Sequence, residues 1–111
     1  MACFVIEGGH KLSGEIVPQG AKNEVLQILC ATLLTSEKVT VRNVPNILDV
    51  NNLIGLLIDM GVKVDKLKEG EYSFQASNID RSFLTSPDFL KRNAALRGSI
   101  MLTGPMLARF G

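Results

Sequence analysis

Apolar and polar residues alternate at Cys3–Glu7 and again at Glu15–Val17, on either side of the run GGHKLSG. A period of two interrupted by glycines predicts two short strands joined by a turn-rich loop. Pro18, Gln19 and Gly20 then break the strand, and Ala21–Ser36 is predicted as a helix carrying almost no charge after Glu24. Its apolar residues Val25, Leu26, Ile28, Leu29, Cys30, Ala31, Leu33 and Leu34 occupy more than one face, the pattern of a helix covered nearly all round. Helices of small α/β units normally keep a wet side, so this one points to an architecture with helices inside and sheets outside.

Val39–Val44 reads as a β-branched strand ending at Pro45, and Ile47–Met60 has apolar residues at 47, 50, 53, 54, 57 and 58, the spacing of a helix face. Gly61 supplies its C-terminal stop. Strands at Val62–Leu67 and Tyr72–Ala76 flank KEGE, whose glycine and charge suit an exposed hairpin turn. From Glu15 onward the expected order is β-α-β-α-β-β. Ser77–Ser86 is a polar connection, and Pro87 and Asp88 open a further helix from about Phe89, kinked or broken at Gly104 and Pro105. The apolar ending at Phe110 and Gly111 is expected to be a cut inside a larger protein.

Composition narrows the function classes. With 111 residues the chain is one small domain or part of a larger one, and 12 Lys and Arg against 11 Asp and Glu give a net charge of +1. There is no broad basic field for a nucleic-acid backbone or an anionic membrane, so neither is an expected partner. A hydrophobic fraction of 46% is high for so short a chain, and the chain is expected either to self-associate through uncovered apolar helices or to be loosely packed. The N-terminus lacks the charge and apolar pattern of an export signal, which predicts a cytoplasmic protein. The longest apolar stretches fall well short of the roughly 20 residues that span a bilayer. Cys3 and Cys30, with His10 the sole imidazole, fit neither a zinc site nor a disulfide framework, and both read as buried small apolar residues. No metal and no cofactor is expected.

The residues that could carry chemistry begin with Gly20-Ala21-Lys22-Asn23, where strand gives way to helix. A lysine in a first helical turn faces the positive end of the dipole, at a cost of about 0.3–1 kcal/mol. Either Lys22 is simply solvated, or an anion docks on the free N–H groups and Lys22 is its partner, with Gly20 permitting close backbone approach. Arg97 and Asn93, four residues apart, share a face of the third helix; the guanidinium fork suits a phosphate, but the charge pattern alone favours an ordinary solvated face. Asp49, near the start of the second helix, reads as complementing the dipole there rather than as an acid, and His10 is a loop residue. GGHKLSG lacks the spacing of a P-loop, and no GxGxxG occurs.

The run KLSGEIVPQGAKNEVLQILCATLLTSEKVTVRNVPNILDV, followed by LLIDMGVKV and LRGSIMLTGPMLARFG, resembles the N-terminal part of the UDP-N-acetylglucosamine enolpyruvyl transferase family. Ala21-Lys22-Asn23 looks like the UDP-sugar enzymes, where the related shikimate-pathway transferases typically have Ser-Lys-Ser. The resemblance implies an inside-out α/β barrel built of βαβαββ units, of which only part is present. Residues 1–20 would be strands of the domain completed by a C-terminal half, and residues 21–111 the first part of the other domain, one full unit and the start of the next. It further implies transfer of the enolpyruvyl group from phosphoenolpyruvate to the 3′-hydroxyl of UDP-N-acetylglucosamine, the first committed step of bacterial peptidoglycan synthesis.

By this resemblance Lys22 and Asn23 would bind phosphoenolpyruvate and Arg97 would face the UDP-sugar. The general acid, a cysteine on a loop, is expected beyond Gly111, matched by neither Cys3 nor Cys30, so the 111 residues alone are expected to be inactive. A stand-alone anion-binding module, or an oligomerising piece of the same fold, are the alternatives.

Overall fold

The structure is a computed structural model that describes residues 2–95 and 101–111, with only the backbone of Asn93 and Ala95. The first helix, α1 (Lys22–Ala31), runs into a 3₁₀ turn at Thr32–Leu34. There follow β1 (Lys38–Val41), α2 (Leu48–Asp59), β2 (Lys63–Lys68) and β3 (Glu71–Gln75). A 3₁₀ turn at Arg81–Thr85 then leads to α3 (Pro87–Ala95), and α4 (Thr103–Phe110) closes the described chain. Among the described residues no helix is long and apolar enough to cross a membrane.

The sheet has the order β1-β3-β2, with β3 antiparallel to both neighbours. Register explains its two faces. Val39, Phe74 and Val64 lie in one row and Val41, Tyr72 and Lys66 in the next, whereas Thr40, Ser73 and Asp65 share the opposite face. The period of two thus separates an apolar row from a polar one. Phe74, at the centre of the middle strand, is fully buried and joins one core with Val25, Leu29, Leu33, Val50, Leu53, Leu57 and Met60 of the helical segments. Helices cover one face of the sheet and the other carries polar residues.

The end of α2 shows why its sequence stops there. Gly61 has φ +106°, its N–H donates to the Ile58 carbonyl and the Val62 N–H donates to the Leu57 carbonyl, both at 3.0 Å. This paired pattern satisfies the last carbonyls of a helix and needs the left-handed region that glycine enters freely. A Cβ at Gly61 would lie 2.4 Å from the Asn78 carbonyl oxygen. The predicted stop is therefore enforced twice.

Several expectations need correction. Cys3–Glu7 and Glu15–Val17 form no strands: the described residues up to Gly20 carry no ladder, and Phe4, Val5, Ile6, Leu12, Ile16 and Val17 are all at least 80% exposed. An isolated pair of short strands is marginal in water, and among the described residues no strand pairs with this segment. The unit accordingly reads α-β-α-β-β. Cys3 is exposed for the same reason, while Cys30 is buried as expected. The first helix is buried along Val25, Leu26, Leu29 and Cys30 but leaves Ile28 and Leu34 exposed, so among the described residues it is covered on one side. Gly104 and Pro105 do not interrupt a helix; Pro105 lies in the first turn of α4, where a missing N–H costs no helical bond.

Candidate functional site

The N-termini of α1 and α2 come together. Lys22 is the first residue of α1 and Asp49 lies in the first turn of α2, and the Lys22 ammonium donates to Asp49 Oδ2 at 3.1 Å. The N-cap positions are Ala21 and Ile47, neither of which offers a side-chain cap. Each helix thus begins with backbone N–H groups that no capping side chain satisfies, and their partial positive charge favours an anion. The Lys22 and Asp49 side chains are 50% and 45% exposed, so a solute can reach the pair. An ammonium has three donors, and the contact with Asp49 uses one.

The local frame around this pair is well anchored. The Asn51 side-chain amide donates to Asn46 Oδ1 at 2.9 Å, tying the approach to α2 to its first turns. The Val44 N–H donates to the Gly70 carbonyl at 2.9 Å, which fixes the segment after β1 against the β2–β3 turn. Gly20 packs so closely on this segment that a Cβ there would sit 1.9 Å from the Asn43 carbonyl oxygen. The glycine expected to admit an anion therefore has a packing reason of its own. Asn43 itself has φ +57°, a conformation asparagine tolerates better than most residues.

The predicted site residues divide cleanly. Lys22 stands at a helix N-terminus as expected, and Asn23 is exposed in the same first turn. Asp49 does complement its helix, and it also pairs with Lys22 across 27 positions of sequence, a contact that spacing along the chain does not signal. Arg97 lies outside the described residues, as does the side chain of Asn93. A recess of about 190 Å³ opens between the start of α1 and the end of β1, lined by Gly20, Ala21, Val25, Ile28, Val41 and Arg42 among others, and neither Lys22 nor Asp49 lines it.

One further residue escaped sequence reasoning. The Arg109 guanidinium donates to the carbonyls of Leu33, Thr35 and Ala76 at 2.9, 3.3 and 2.6 Å. It gathers carbonyls from the end of the α1 segment and the end of β3, and holds α4 to both. Only its place on an amphipathic helix beside Phe110, over whose ring it also stacks at 5.0 Å, offered any signal. Neither cysteine suits acid chemistry in this region: burial pushes the Cys30 thiol up to about 12, and Cys3 is on the exposed N-terminal segment.

A family model described as EPSP synthase (3-phosphoshikimate 1-carboxyvinyltransferase) matches residues 6–111. The chain belongs to the EPSP synthase family. Within that family its relatives include the UDP-N-acetylglucosamine 1-carboxyvinyltransferase of Bacteroides fragilis (strain ATCC 25285), 68% identical over 111 residues, all of this chain and 26% of the relative. The protein of the same name from Porphyromonas gingivalis (strain W83) is 57% identical over the same span. That from Dichelobacter nodosus is 44% identical over 106 residues, 96% of this chain and 24% of the relative. This EPSP synthase family chain spans about a quarter of the length of these curated relatives.

Proposed function

We propose that this chain is the N-terminal part of an enzyme that transfers the enolpyruvyl group of phosphoenolpyruvate to the 3′-hydroxyl of UDP-N-acetylglucosamine with release of phosphate. The observation that carries this reading is the 68% identity, across all 111 residues, to a protein named for that transfer. The geometry supports it through Lys22, a reachable cation at two uncapped helix N-termini.

In this reading Lys22 holds the phosphoenolpyruvate anion and the charge that develops as the acceptor hydroxyl adds to the enol carbon. A preorganised ammonium and oriented N–H groups stabilise such charge without moving during the reaction. Asn23 adds a hydrogen bond in the same turn, and Arg97 faces the UDP-sugar. The general acid is a cysteine beyond Gly111, since proton delivery requires an acid within reach of the reacting carbon. In the full-length protein residues 1–20 become strands once the C-terminal half supplies their partners and completes that domain, residues 21–111 begin the other domain, and helices inside and sheets outside close into a barrel. The same assembly covers Ile28 and Leu34 of the α1 segment; without it, the 111-residue chain self-associates.

Phosphate release from phosphoenolpyruvate, assayed with each acceptor, tests the reading. The full-length protein should release phosphate with UDP-N-acetylglucosamine and not with 3-phosphoshikimate, the acceptor in the family model's name. The 111-residue chain should release none. Turnover with 3-phosphoshikimate alone would contradict the assignment of the acceptor.

A further inference from the structure

We propose that Asp49 is a positioning residue that holds the Lys22 ammonium in place for the anion. The proposal rests on the enolpyruvyl-transfer reading of Lys22. It starts from an electrostatic conflict, because a cation at the start of α1 is repelled by the partial positive charge of that terminus and by the matching terminus of α2. Left alone, a flexible lysine side chain would turn toward solvent. Asp49 supplies the opposing carboxylate from the first turn of α2, 3.1 Å from the ammonium.

The helix that carries the carboxylate is itself held. α2 is buried through Val50, Leu53, Ile54, Leu56 and Leu57, and the Asn46–Asn51 side-chain bond braces its entry. The two side chains are about equally exposed, at 50% and 45%, but Lys22 carries its charge on a longer and more flexible stem than Asp49 does. Asp49 is therefore the fixed member of the pair and Lys22 the one positioned. With one donor on Asp49, the ammonium keeps two for an incoming anion. The pair being half-exposed, its own contribution to stability is small, so its removal leaves the fold standing.

This assigns a distinctive kinetic signature. Asp49→Asn removes the anchor but also a negative charge beside the anion, so ground-state capture of phosphoenolpyruvate is not weakened. What is lost is alignment in the transition state, where small displacements cost most. In the full-length protein Asp49→Asn should lower kcat about tenfold or more while the KM for phosphoenolpyruvate stays level or falls. Asp49→Glu, which keeps the charge, should recover part of kcat. The melting temperature of both variants should stay close to the parent's.

A second readout needs no turnover. Acylation of Lys22 by an amine-directed reagent, followed by peptide mass spectrometry, should be several-fold faster in Asp49→Asn than in the parent. Unchanged kcat in Asp49→Asn, a raised KM at constant kcat, or a large fall in melting temperature would each overturn the proposal. If the parent protein shows no enolpyruvyl transfer at all, the function proposed above fails on that control. The acylation comparison then decides the Lys22–Asp49 coupling by itself, and an unchanged rate refutes it.

Discussion

Residues 2–20 and residues 38–75 both contain alternating segments with β-branched and aromatic side chains, yet only the second builds a sheet. Phe4 is 96% exposed and Phe74 is fully buried. The two phenylalanines differ in what surrounds them. Phe74 has a strand on each side, opposite Val39 and Val64, and α1 and α2 contribute to the core it joins. Phe4 lies in no strand and, among the described residues, no strand pairs with its segment. Alternation prepares a segment to pair, and pairing with cover makes it a strand.

Substitutions that treat the two regions alike should expose the difference. Phe74→Ala should cost about 3–5 kcal/mol, the range for emptying an aromatic core position, and Phe4→Ala should leave the urea midpoint of the 111-residue chain unmoved. An equal loss in both would mean that residues 2–20 pack in solution. Glycines sharpen the same contrast at the boundary between the regions. Gly20→Ala drives a Cβ into the Asn43 carbonyl oxygen and should destabilise by about 2 kcal/mol or more. Gly8→Ala meets nothing within 4 Å and should be nearly silent in the same unfolding measurement.

The smallest effect concerns acid. The Ser82 hydroxyl and amide both donate to Asp80 Oδ1, at 2.6 and 3.1 Å, and hold its carboxyl below the usual range. Because the folded value is depressed, the contribution is present at neutral pH and is lost as pH falls through that lowered value. Amide exchange at Ser82 and Phe83, compared with an Asp80→Asn variant, should show the turn at Arg81–Thr85 loosening first in acid for the parent alone. No such acid-dependent loosening is expected in residues 2–20.

Much of the packed region was legible. The Ala21–Ser36 and Ile47–Met60 helices announce themselves through apolar spacing, and the structure trims them to α1 with its 3₁₀ extension and to α2. The Gly61 stop and the Gly70 turn were readable because each depends on local backbone conformation, with φ +106° and +77°. The N-terminal strands were not, because whether a strand forms depends on an edge to pair with. Lys22 was legible as an electrostatic oddity within one turn of helix. Asp49 and Arg109 were not legible as partners, since their contacts join residues 27 and up to 76 positions apart. Gly20 was singled out for the approach of an anion, and the close contact the structure shows there is with the Asn43 carbonyl.

The claim that Lys22 is the anion-holding group is tested most directly by Lys22→Ala in the full-length protein, with phosphate release from phosphoenolpyruvate in the presence of UDP-N-acetylglucosamine as the readout. Loss of one preorganised charge at a developing anion predicts a fall in kcat/KM of about a hundredfold or more, with little recovery in Lys22→Arg, whose planar fork does not replace a compact ammonium. Kinetics of Lys22→Ala close to the parent's would contradict the account and leave Lys22 a solvated partner of Asp49.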